Sequence, residues 1–154
     1  MLVYNVNNTK KFMSLLLKSD IFDSLEIRNA VITTFTSFEI SGKINKDFFD
    51  EENLPQRDYC LWKEIKPFAF EIIKGKHMPK FIKLVFAATE ELKEKISPDS
   101  SVLFLNITFE NNAVTVITGS STKTFTMDKS GEYAWDEYVN EFFEKNNIAV
   151  SRQM

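Results

Sequence analysis

The sequence predicts an α+β fold built mainly on antiparallel sheet, and three observations carry that expectation. β-Branched and aromatic residues alternate with polar ones over residues 24–44 and 102–127, the period of half-buried strands. Apolar residues recur at helical spacing near residues 8–18, 62–75 and 130–146. The chain also repeats itself. Leu2-Val3-Tyr4, Leu25 and Ile27 are matched at one constant offset by Leu84-Val85-Phe86, Ile107 and Phe109, and Arg28-Asn29-Ala30-Val31 by Asn111-Asn112-Ala113-Val114 one residue further on. Each half reads strand-helix-strand-strand-strand, with pseudo-repeats over about residues 2–44 and 80–128. A middle helix and a C-terminal amphipathic helix lie outside the repeats.

Residues 2–6 read as a short strand. Asn7 or Asn8 then caps a helix to about Lys18, because a side-chain oxygen there satisfies an orphan N–H of the first turn. Phe12, Leu15 and Leu16 share one face, which Met13 and Leu17 widen, and Lys10, Lys11 and Lys18 lie opposite. Residues 24–44 form two or three strands, with turns at Arg28-Asn29 and Thr36-Ser37. Over residues 45–61 the pattern dissolves into a long loop that mixes Asp47, Asp50, Glu51 and Glu52 with Phe48 and Phe49. Trp62, Ile65, Phe68, Ala69, Ile72 and Ile73 return at helical spacing, with Pro67 tolerable only in the first turn and Gly75 ending the helix.

The second unit opens with a strand at residues 81–86 and a short helix capped by Thr89, with Glu90 and Glu91 near its positive end. Residues 102–109 are a strongly apolar strand, and Glu110-Asn111-Asn112 is a hairpin turn. Strands at 114–118 and 122–127 follow, with a turn between them at Gly119-Ser120-Ser121. Ser130 caps a last helix whose Trp135, Tyr138, Val139, Phe142 and Phe143 make an apolar stripe beneath an acidic outer face of Glu132, Asp136, Glu137, Glu141 and Glu144. Residues 1–146 thus read as a single α+β domain and 147–154 as a flexible tail.

Composition bounds the function. At 154 residues, 44% hydrophobic and 27% charged, the chain can bury one cooperative core, and its 15 Phe residues suit wide sheet-to-helix interfaces. One cysteine, Cys60, excludes an intramolecular disulfide framework and fits a reducing cytoplasm. The apolar runs are too short to span a bilayer, so no membrane partner is expected. A net charge of −3 gives no global attraction to nucleic acid, and any such binding needs a local basic patch.

Two such patches stand out: Lys10, Lys11 and Lys18 on the first helix, and Lys74, Lys76, His77, Lys80 and Lys83 around a Gly and a Pro. They are candidate contacts for an anion, for nucleic acid or for an acidic protein surface, and equally read as solvated faces. Neither patch contains an Arg, which removes bidentate phosphate contacts there. Residues 118–124 lack the second Gly before Lys of a phosphate loop, and a strand follows instead of a helix. One His and one Cys cannot make a structural zinc site, and the 47–52 acids lack EF-hand spacing. A Cys60–His77 nucleophile pair is conceivable, but an apolar Tyr59-Cys60-Leu61-Trp62 neighbourhood fits a small buried thiol better. No catalytic, cofactor-binding or metal-ligating residue is assigned, and no cofactor is expected.

The doubled strand-helix-strand-strand-strand unit resembles, in topology and without any clamp-specific motif, one domain of the DNA sliding-clamp fold. That likeness implies sheets outside, helices inside and phosphate contacts from basic helices, yet the second short helix sets Glu90, Glu91 and Glu94 against Lys93 and Lys95. Separately, Trp62-Lys63-Glu64-Ile65-Lys66-Pro67, Ile73-Lys74-Gly75-Lys76 and Lys123-Thr124-Phe125-Thr126-Met127-Asp128-Lys129 resemble an uncharacterised family of small bacterial proteins that has no assigned activity. The expected function is a non-enzymatic binding or assembly module that contacts a protein or another copy of itself, through the 45–61 loop and the last helix. The alternatives are a clamp-like nucleic-acid binder and a small-molecule enzyme with a pocket under the 45–61 loop.

Overall fold

Eleven elements follow one another in the computed structural model, which describes residues 1–153: β1 (Val3–Val6), α1 (Thr9–Lys18), β2 (Glu26–Thr33), β3 (Ser37–Ser41), α2 (Trp62–Ile73), β4 (Phe81–Ala87), α3 (Glu90–Ile96), β5 (Ser100–Glu110), β6 (Ala113–Thr122), α4 (Ser130–Lys145) and β7 (Val150–Arg152). The fold is α+β. All seven strands join one antiparallel sheet in the order β3-β2-β4-β5-β6-β1-β7.

One face of this sheet carries the core. Ile82, Leu84 and Phe86 of β4, Leu103, Leu105, Ile107 and Phe109 of β5, and Val114 and Val116 of β6 are buried at alternate positions. They meet Phe12 and Leu16 of α1, Trp62 of α2, and Trp135, Val139 and Phe143 of α4. Phe22 stacks on Phe86 and meets Phe12 and Phe142, so part of the Phe-rich composition packs the interface between sheet and helices, while Phe35, Phe48, Phe68 and Phe125 stay exposed. The other sheet face carries Lys83, Asn106, Thr108 and Thr115 between half-exposed Val31, Val85 and Ile117.

Local chemistry explains the element ends. The Asn8 side chain accepts the Lys11 N–H at 3.0 Å, and the Thr89 hydroxyl accepts the Leu92 N–H at 3.3 Å. Asn111 and Asn112, with φ of 52° and 62°, make the tight β5–β6 hairpin whose left-handed residues match strand twist.

Several expectations need correction. Arg28-Asn29 is not a turn but a bulge inside β2, where pairing to β4 shifts between Ile27 and Asn29. Gly119 is not a turn either: it pairs with Phe104 within a continuous β6, so two strands follow each repeat helix rather than three. The two units are also paired differently. β4, β5 and β6 are neighbours, whereas β4, β5 and β6 separate β1 from β2. Pro67 sits in the second turn of α2, since the helix starts at Trp62, and there its ring removes an interior hydrogen bond. Glu64 offsets part of that cost by accepting the Leu61 N–H at 2.8 Å at the helix start. Ser130 is the first residue of α4, and the Asp128 carboxylate accepts its N–H at 2.9 Å.

The reading of 147–154 as a tail also fails over the described residues; Met154 lies outside them. Asn147 takes φ 56°, Asn147 N–H donates to Glu144 O and Ile148 N–H to Phe143 O, the paired bonds of a Schellman motif. Ile148 is buried, and β7 then pairs with β1. Among the described residues no helix is long and apolar enough to cross a membrane.

Candidate functional site

Asn8 sets the phase of α1, and that phase distributes three strips of side chains. Phe12 and Leu16 are buried against the sheet, Met13 and Leu17 lie half-covered beside them, and Lys10, Ser14 and Lys18 follow at four-residue spacing towards solvent. Opposite this helix, α2 ends at Ile73, and Gly75 turns the chain at φ 143°, a conformation that a Cβ would strain. Pro79 is buried, and Lys80 N–H bonds Thr33 O at 2.9 Å, which fixes the lip of the connection before β4 begins.

Between these walls runs a groove of about 520 Å³. Met13, Leu17, Ile73, Pro79, Ile82 and Phe109 line it, with Ile82 and Phe109 paired directly across β4 and β5. Met78 overhangs it and is 63% exposed. Thr9 and Asn112 close one end, joined by a hydrogen bond from the Thr9 hydroxyl to Asn112 O. Lys10 and Lys18 line its rim. The volume lies within the range of binding clefts, and the two methionines give walls that can repack around different side chains.

The eight expected cations do not form one surface. Lys10 and Lys18 come together at the groove, and exposed Lys76, His77 and Lys80 belong to the connection that carries Met78 and Pro79. Among the described residues Lys10, Lys18, Lys76 and Lys80 form no salt bridge. Lys74 pairs with Glu71 at 2.7 Å, and Lys11 donates to Asn147 O at 2.9 Å. Lys83, exposed between buried Ile82 and Leu84, projects from the opposite face of the sheet.

Cys60 and His77 are not brought together. The Cys60 carbonyl accepts the Ile27 N–H near the start of β2, whereas the connection carrying His77 is tied to Thr33 at the end of that strand. The Cys60 thiol is half-buried, and burial pushes its pKa up, the wrong direction for a nucleophile. Among the described residues no three His, Cys, Asp or Glu side chains converge as metal ligands. A polar cavity of about 920 Å³ at the start of α4 is lined by Ser97, Ser100, Ser120, Ser121 and Lys123, but Ser97 and Ser100 bond each other at 2.7 Å. Both cavities lie away from residues 45–61. The aromatic stripe of α4 is core rather than contact surface: Trp135 and Phe143 are buried and Phe142 packs on Phe22.

One charged cluster sits outside the groove, at the start of β2. Arg28 lies 3.8 Å above the Tyr59 ring and bonds Glu26 at 3.1 Å. Burial raises the Glu26 carboxyl above its ordinary range despite that partner, while the Arg57 guanidinium holds Glu64 below it. These groups tie residues 57–61 to the sheet and face no cavity described above.

Sequence reasoning missed the groove's apolar half. Met13 and Leu17 made the apolar face of α1 wider than the sheet alone needs, and Met78 stood between cations; those were the available signals. No curated protein and no solved structure matches the chain. A family model does match, over residues 15–151, a span that takes in the last turn of α1 and the whole of β2 to β6, α2, α3 and α4. The chain therefore belongs to DUF5721, a family of unknown function.

Proposed function

We propose that this protein is a non-enzymatic binding module that holds an acidic, amphipathic segment of a protein in the groove between α1 and the Met78–Ile82 stretch. The observation that carries the reading is the pairing of an apolar floor with a rim of lysines that have no acidic partner among the described residues. Apolar side chains of the ligand would be drawn in by burial, and carboxylates beside them would meet Lys10, Lys18, Lys76 and Lys80. The single Cys60 supports work in a reducing compartment such as the cytoplasm. A fluorescein-labelled synthetic helical peptide, with Leu at positions i, i+3, i+4 and i+7 and Glu elsewhere, tests the reading by anisotropy. The wild type should bind it, Met78→Asp and Lys18→Glu should each weaken it about tenfold or more, and a Lys-for-Glu peptide should not bind. Equal affinity for both peptides would end the reading.

Nucleic acid is the second reading, favoured by the same unpaired lysines and weakened by the apolar floor and by the position of Lys83 across the sheet. It predicts duplex DNA binding that falls steeply between about 50 and 200 mM salt. No binding at the lower salt would remove it.

A further inference from the structure

The geometry points to a second copy of this chain as the groove's occupant, entering by its own segment of residues 47–54; this rests on the groove being a site for an acidic amphipathic segment. The segment has the complementary composition. Phe48 is 82% exposed, Phe49 37% and Leu54 39%, and Asp47, Asp50, Glu51 and Glu52 surround them. An exposed Phe ringed by carboxylates is the inverse of an apolar groove rimmed by lysines, and such pairing gives both an anchor and a register.

The segment is held ready rather than loose. Two 3-10 turns, Lys46–Phe48 and Glu51–Asn53, shape it, with Asn45 accepting the Asp47 N–H and Phe48 packing edge-on against Phe49 at 5.4 Å. Its base is pinned by Ile44 N–H to Asp58 O at 2.8 Å and by Lys46 to Asp58 at 2.9 Å. Preformed shape lowers the ordering cost of docking.

The segment cannot fill the groove of its own chain as it stands. Its base lies beside the start of β2, where Leu61 bridges Glu26, whereas the groove's lip is tied to Thr33 at the strand's other end. Those anchors, Glu26 and Thr33, are the two ends of the eight-residue β2 and lie roughly 20 Å apart. Docking is therefore between copies: reciprocal exchange of two segments closes a dimer, and one-way insertion gives an open chain.

Sedimentation velocity on the full chain, from about 1 µM to about 1 mM, tests this with two variants at exposed positions, Phe48→Ser and Met78→Asp. The wild type should associate as concentration rises, and each variant alone should associate about tenfold or more weakly. An equimolar mixture of the two variants should recover association as heterodimers, because the intact segment of Met78→Asp fits the intact groove of Phe48→Ser. A wild type that stays monomeric to the highest concentration overturns the inference, as does a mixture that recovers nothing. If the wild type stays monomeric while the synthetic acidic peptide still binds it and fails to bind Met78→Asp, the groove reading stands and self-docking falls.

Discussion

Replacing Trp62 by Phe isolates the contact that joins α1 to α2. Trp62 is fully buried, packs edge-on against Phe86 at 5.3 Å, and its indole N–H donates to Leu16 O at 2.9 Å. Leu16 lies in the last turn of α1, where carbonyls have no intrahelical donor, so the indole supplies what the helix cannot. Phe fills most of the volume but leaves that carbonyl unpaired inside the core. The unpaired carbonyl costs about 1 to 3 kcal/mol. The lost ring atoms, about two or three methylene equivalents at ~0.8 kcal/mol each, add about 2 kcal/mol. A total of about 3 to 5 kcal/mol is a large share of the stability of an ordinary domain. Urea unfolding reads it directly: with an m-value of about 2 kcal/mol/M, the midpoint should fall by about 1.5 to 2.5 M at constant m. Because Leu17 follows Leu16 on α1 and lines the groove, peptide affinity should fall as well. A midpoint change worth less than about 0.5 kcal/mol would refute the reasoning, since it would mean that water or a shifted helix satisfies Leu16 at no cost.

Gly42→Ala should destabilise by about 3 kcal/mol or more, because its Cβ would lie 1.6 Å from Ile27 O, backbone that cannot step aside without breaking the β2 bulge; near-wild-type melting would contradict this. Asn147→Val should cost about 1 to 2 kcal/mol by straining a residue at φ 56°, while Asn147→Gly stays close to wild type. Hydrogen exchange should show the loss concentrated in β7 and the β1 edge that it covers. For Glu26, burial raises the folded pKa above the ordinary 4.5. The unfolded chain therefore releases this proton first, and the residue's contribution to stability falls as pH climbs from about 4.5 through the raised folded value. Glu26→Gln removes that slope, so the variant's stability relative to wild type should rise over this interval and level off above it; a flat or falling difference would exclude the assignment.

The elements legible from the sequence were those whose period and caps agree. Asn8 before the Phe12-Leu16 stripe, Thr89 before Glu90-Glu91, and Asn111-Asn112 between two apolar runs each gave a cause as well as a pattern. Gly119 misled, because a strand glycine reads as a break when its partner is unknown, and only pairing with Phe104 keeps β6 continuous. Arg28-Asn29 misled in the same way, since a bulge has the residue types of a turn. Asn147 was passed over because a polar pair after an amphipathic helix reads as fraying, yet Ile148 and Val150 beyond it needed burial. The lysines of the groove could be seen in the sequence, but their apolar companions could not. Met13, Ile73, Ile82 and Phe109 come from four different elements, and only the sheet order brings them to one side.

The most direct test of the groove as a docking site is the spectrum of methionine methyl groups in protein labelled with ¹³C at those positions. Met13 and Met78 lie in the groove, and Met127 is exposed in the stretch before α4. Adding the acidic amphipathic peptide should move the Met13 and Met78 signals together, saturably and less at high salt, while Met127 stays fixed. Signals that do not move, or a Met127 shift as large as those of Met13 and Met78, would contradict the account.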